Sequence, residues 1–160
     1  MQETAQSLRK TLDFVLPHLH AINDGDASIK PFPHKWSKKE ILGHLIDSAC
    51  NNQQKFVRMM AQPHVDFVGY AQDFWVQEQH YNQASWKQLI DLWYAYNQHI
   101  AHIIAHVNPD FLDNTITING VGLFKLGFIM KDYAEHLKHH LKAILPDIGL
   151  ESSFANVYNA

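Results

Sequence analysis

The chain of 160 residues has a single cysteine, Cys50. One thiol cannot close an internal disulfide, so a disulfide-stapled scaffold is excluded, and little else about compartment follows. No apolar run reaches transmembrane length, and the opening MQETAQSLRK is polar where a secretory leader would be apolar. The expectation is therefore a soluble, cytoplasmic protein. Long runs of one charge are also missing: 13 Lys plus Arg stand against 16 Asp plus Glu, a formal net charge of -3. Nothing in that distribution resembles the basic stripe of a nucleic-acid binder or the basic face of a membrane-surface helix. Internal repeats, linkers and low-complexity segments are absent as well. Against these absences stand 46% apolar residues, enough for a good core in a domain spanning 1–160, and twelve histidines. The histidines need an explanation, or have to be shown to be scattered.

Helical periodicity and its punctuation divide the chain into four long helices. The first covers about residues 3–22, with Leu8, Leu12, Val15, Leu16 and Leu19 at helical spacing and a kink or break expected at Pro17. NDGDASIKPFPHK then reads as loop, broken by Gly25, Pro31 and Pro33. Ser37 opens the second helix with SKKE, a capping box in which Ser37 and Glu40 satisfy each other's backbone N–H; it runs to about Ala61, before Pro63. SWKQ at Ser85 opens the third, which runs to about Val107, before Pro109. The fourth is expected from near Gly122 to just before Pro146. Segment 62–84 is long and aromatic, and TITI between the third and fourth helices suggests a short extended piece. Four amphipathic helices in one core-sized chain make an all-α, four-helix bundle with long loops. Loops this long in a compact domain are often functional, so 62–84 is a lid or pocket wall, or else a cap on the bundle core.

Imidazoles four apart point the same way from a helix and bind divalent ions well when neutral. Two such pairs exist, His102 with His106 and His136 with His140, so spacing alone does not choose. At roughly 100° per residue, His99, His102 and His106 fall opposite the stripe of Leu89, Trp93, Tyr96, Ile100, Ile103 and Val107. They read as solvated. His140 lies within roughly half a quadrant of the stripe formed by Leu126, Met130, Tyr133, Leu137 and Ile144, His136 sits just beyond it, and His139 is turned further out. Inward imidazoles need partners: a metal, or alternatively Tyr133, Asp132 or backbone groups. On the second helix His44 lies beside the apolar arc, where a lone histidine is ordinarily structural. Gly43 next to it is unfavourable in a helix interior and suggests close approach by another element.

KWSKKEILGHLIDS, followed far downstream by DYAEHLKHHLKAI, resembles the DinB/YfiT-like family of metal-dependent enzymes, and YAQDFWVQEQHYNQASWKQLIDLW is similar to that family's connection into its third helix. The likeness covers nearly the whole chain. It implies a four-helix bundle, frequent dimerisation and a divalent ion, zinc or nickel, with His44, His136 and His140 as ligands. His139 falls between family positions. Known activities of relatives include transfer of a low-molecular-weight thiol to an electrophile.

Three neutral imidazoles would leave an ion's double charge intact, able to lower the pKa of water or hold a thiol as thiolate. Asp73 and Tyr70 are the candidate catalytic groups if the long segment folds over the site. Asp47 reads as turned from the core and solvated. Asn51 and Arg58 are candidate substrate-binding groups, Arg58 for an anionic group, although a surface arginine is the simpler reading. Asp132 is placed to orient His136. Cys50 lacks a flanking activator and reads as small apolar packing, as do Met59 and Met60. Haem or di-iron binding fits poorly, since paired Glu-x-x-His helices are missing. Two classes stay open: a metal-dependent enzyme acting on a small molecule as a thiol transferase or hydrolase, and a non-catalytic dimeric bundle whose metal is structural or absent.

Overall fold

Ser37 starts the longest helix as its side chain requires: Ser37 Oγ accepts from the Glu40 N–H at 3.2 Å, while Glu40 Oε2 accepts from the Ser37 N–H at 2.7 Å. Two backbone donors that the first turn leaves open are thereby satisfied. Ser85 caps similarly, accepting from the Gln88 N–H at 3.4 Å. The structure, a computed structural model, describes residues 1–157; residues 158–160 of the expected 1–160 domain lie outside the described residues. The elements in chain order are α1 (Gln2–His20), α2 (Asp24–Ser28), α3 (Lys38–Ala61), β1 (His64–Phe67), α4 (Gln72–Glu78), α5 (Trp86–His106), β2 (Thr115–Ile118), β3 (Val121–Lys125) and α6 (Leu126–Ile144).

The four long helices, α1, α3, α5 and α6, form the bundle expected from periodicity. Their buried stripes supply the core: Leu8, Leu12 and Leu19; Leu42, Leu45 and Phe56; Ile90, Trp93 and Ile104; Met130, Leu137 and Leu141. The helix order around the bundle is not the chain order. Both α1 and α3 pack on α5 and α6. The first two long helices, α1 and α3, are therefore diagonal partners, as are the last two, α5 and α6, which long connections permit. This arrangement lays α3 directly against α6.

Several boundaries differ from the sequence reading. The α1 helix is not broken at Pro17; it runs on to His20, and the proline sits in its last turn, where one missing N–H matters least. The 23–35 stretch is not all loop: Asn23 accepts from the Asp26 N–H at 2.9 Å and nucleates α2. The last helix begins at Leu126, not near Gly122, because residues 121–125 pair with β2 as β3. Asn119 and Gly120, at φ of 53° and 75°, supply the left-handed turn that joins β2 to β3. TITI is β2, as expected, and lies between β1, its parallel neighbour, and β3. The small sheet closes one end of the bundle. After α6 the chain doubles back: Ser152 Oγ donates to the Glu135 carbonyl at 2.7 Å and the Ser153 N–H to Glu135 Oε2 at 2.8 Å.

Candidate metal centre

Contact between α3 and α6 brings His44 against His136 and His140. Ring centroids lie 5.4 Å apart for His44–His136, 4.7 Å for His44–His140 and 4.5 Å for His136–His140. One ligand nitrogen from each of the three falls within 4.8 Å of the others. The wheel put His44 at the edge of the core. It is in fact wholly buried, because α6 and the Trp36 ring, 5.1 Å from the imidazole, cover it.

Burial creates the chemical problem that a metal would solve. Neither ring nitrogen of His44 has a hydrogen-bond partner. A polar atom left so costs about 1–3 kcal/mol. The Nε2 atoms of His136 and His140 face each other at 3.1 Å, and His136 Nδ1 lies 3.5 Å from Ser48 Oγ. Desolvation, reinforced for His136 and His140 by neighbouring imidazoles, lowers the pKa of His44 to about 4, of His136 to about 2 and of His140 to about 3. All three stay neutral at pH 7, the form that donates a lone pair to a cation. Converging neutral nitrogens, one of them on an unpartnered buried ring, fit a divalent ion.

Two aromatic rings and a cavity bound the cluster. The Phe154 ring, from the returning C-terminal segment, packs at 5.0 Å from His136 and 5.4 Å from the exposed His139. On the other flank His140 lines a cavity of about 830 Å³ together with Trp36, Ile41 and Asp73. Asp73, a candidate catalytic group, is thus exposed on α4 and shares a wall with His140. Tyr70 is half-buried and packs against Trp75 at 4.8 Å; burial, with the charges of Asp47 and Cys50, pushes its phenol upward. Asn51 is buried and donates to the Asp47 carbonyl at 2.9 Å. Arg58 is exposed, with Nε 3.3 Å from Gln54 Oε1, and lies about 21 Å further along α3 than His44 at the helical rise per residue. The fold does not bring it to the histidines. Asp132 acts electrostatically on Lys55, raising its pKa against a larger lowering by burial that leaves it at about 8. Cys50 is half-buried beside Tyr96. Met59 is core, and Met60 packs against it. His99, His102 and His106 are exposed, as their wheel position implied.

One reading is overturned. Asp47 is not solvated; it is 3% exposed. Segment 62–84 folds over that face of α3, and both the Tyr81 hydroxyl (2.7 Å) and Gln79 Nε2 (2.9 Å) donate to Asp47 Oδ1, while Oδ2 is buried without a partner. The only trace of this in the sequence is Gly43. A Cβ there would stand 2.2 Å from Tyr81 ring carbons, so the ring occupies the space a side chain would need. Phe154 left no trace, since nothing local ties it to a helix it follows by ten residues.

No curated protein matches the sequence. Among solved structures, YfiT from Bacillus subtilis, described as a probable metal-dependent hydrolase with an unusual four-helix bundle topology, aligns with a TM-score of 0.79 at 14% identity, over 89% of this chain and 82% of its own. That likeness is one of fold. The sequence pattern of the DinB superfamily matches residues 7–144, most of the chain, and the protein belongs to that superfamily.

Proposed function

We propose that the protein is a metal-dependent enzyme in which His44, His136 and His140 hold one divalent ion, zinc or nickel. In this reading it activates a thiol, or a water, for attack on a small electrophilic substrate. The observation that carries the reading is the convergence of three neutral imidazoles, His44 buried and His136 and His140 half-buried, with both nitrogens of His44 unpartnered. An ion bound there would supply a concentrated positive charge that acidifies a thiol or water ligand. The chain's own residues would do the rest. Trp36 and Phe154 exclude solvent from two flanks. Ser48 holds His136 by its Nδ1 and so fixes which nitrogen faces the cluster. Asp73, exposed in the same cavity wall as His140, is the proposed group to accept or return a proton, and Tyr70, packed on Trp75, is the second candidate.

The cavity at His140 favours a catalytic centre over a purely structural one, since structural sites are closed. Thiol transfer is the favoured reaction, as the family resemblance implies; hydrolysis is the second reading and is supported by the description of YfiT. A cytoplasmic homodimer acting on a small molecule completes the proposal.

Metal content of the purified protein, measured by elemental analysis, tests the centre. One ion per chain is expected in the wild type and in a His102→Ala/His106→Ala control, and none in His44→Ala or His140→Ala, each with helical circular dichroism retained. Undiminished metal in both of the latter variants would move the ion to the surface histidines and end the proposal. With the loaded protein, turnover of an electrophile only when thiol is added assigns transfer, and turnover in water alone assigns hydrolysis.

A further inference from the structure

The cavity beside His140 has walls of two kinds. Ile29, Pro31, Phe32, Trp36 and Ile41, from the connection into α3 and its first turn, are joined by Ala143 of α6. Ile29 is 63% exposed and Phe32 61%. Large apolar side chains turned toward one concavity favour any apolar body that covers them. The charged lining residues balance: Asp26 and Asp73 against Lys35 and Lys38. Two of these four are already engaged. Asp26 Oδ2 accepts from Asn23 Nδ2 at 2.5 Å, and Lys38 Nζ donates to the Ile144 carbonyl at 2.6 Å. Those partners are neutral, so the balance of two charges of each sign stands, and no arginine is among the described lining residues. His34 lies against Phe32, ring centroids 6.1 Å apart, and adds further flat surface. A strongly charged ligand would meet no net field here, whereas an apolar one would meet walls on several sides.

We propose that this cavity takes an uncharged, largely apolar small molecule of aryl or branched-alkyl type, and that this molecule is the electrophile of the proposed reaction. The assignment of the electrophile rests on the metal-dependent reading above. The size of the cavity, about 830 Å³, suits a molecule of that kind, and His140 in the same wall sets it beside the histidine cluster.

The test uses two fluorescent probes of one shape, neutral phenylnaphthylamine and anionic anilinonaphthalenesulfonate, titrated into the full-length protein with its metal content measured in parallel. The neutral probe is expected to bind at one site and more tightly than the sulfonate. Ile29→Asp and Phe32→Asp, at exposed positions that the fold tolerates, are each expected to weaken it by about tenfold, as the loss of one apolar contact surface implies. Metal content should be unchanged in both. Absence of neutral-probe binding, binding undiminished from the wild type in both variants, or tighter binding of the sulfonate would each overturn the cavity assignment while leaving the metal result standing. A protein that binds the neutral probe as expected but carries no ion would overturn the enzymatic reading instead, and with it the electrophile assignment.

Discussion

Twelve histidines share one side-chain chemistry, and environment separates them. His102 and His106 keep the same spacing as His136 and His140, yet the first pair is exposed and the second is sunk against α3. Burial lowers the imidazole pKa and removes competing water, so the inner pair differs from the outer in its readiness to hold a cation rather than in its geometry. Asp47 shows the same effect with the opposite sign. Desolvation raises its carboxyl pKa, against the lowering by Gln79 and Tyr81. A carboxyl with a raised folded pKa adds stability below the ordinary value of 3.8 and loses it as pH climbs through the folded value. At pH 7 the buried charge is therefore a liability that Asn, neutral throughout, avoids while its amide oxygen still accepts from Tyr81 and Gln79. Urea denaturation of Asp47→Asn should show a gain over the wild type at pH 7 that shrinks to nothing below about pH 3.8. A wild type that is the more stable of the two at pH 7 would mean that the carboxylate is held by a compensating charge.

Among the elements, the long helices were readable and, apart from the extended TITI of β2, their connections were not. Capping boxes and apolar periodicity are local, and both ends of α3 and α5 followed from them within a residue or two. By contrast β1 and β3 exist only through pairing with β2, and α4 lies in a segment whose sequence carries no clean period. Gly43 links the two kinds of element. Its helix pays for the glycine by admitting the Tyr81 ring, and through that ring the 62–84 segment is held on α3. Gly43→Ala should gain about 1 kcal/mol of helix propensity but lose more from overpacking, since the new methyl displaces Tyr81 from Asp47; a net loss of about 2 kcal/mol is expected in chemical denaturation. Pairing it with Tyr81→Ala should make the alanine at 43 favourable on the Tyr81→Ala background, because the clash is gone and the propensity gain remains. A Gly43→Ala variant as stable as the parent would show that the ring is not seated there.

At the level of the whole molecule, diagonal placement of α1 and α3 is what makes the centre, for it sets α3 against α6 and spans 92 residues of sequence between His44 and His136. A ligand that bridges two helices of the folded state and has no site in the unfolded chain stabilises by mass action. At a free ion concentration of about one hundred times Kd that amounts to about 2.7 kcal/mol, or a rise in Tm of about 5–10 °C for a chain of this size. Thermal melts with and without zinc should show the shift in the wild type and none in His44→Ala; an equal shift in both would place the stabilising ion elsewhere. No helix among the described residues is long and apolar enough to cross a membrane. From its sequence alone this protein was determined to be a four-helix chain with an H-x3-H on its last helix and a histidine beside Gly43 on its second, because periodicity, caps and breakers act over a few residues. Only the tertiary structure decided that these histidines meet, that Asp47 is buried, that Phe154 covers His136 and that the cavity opens at His140, because each depends on which helices are neighbours and which distant segments cover them, and burial of that kind is a property of the packed chain rather than of any stretch within it.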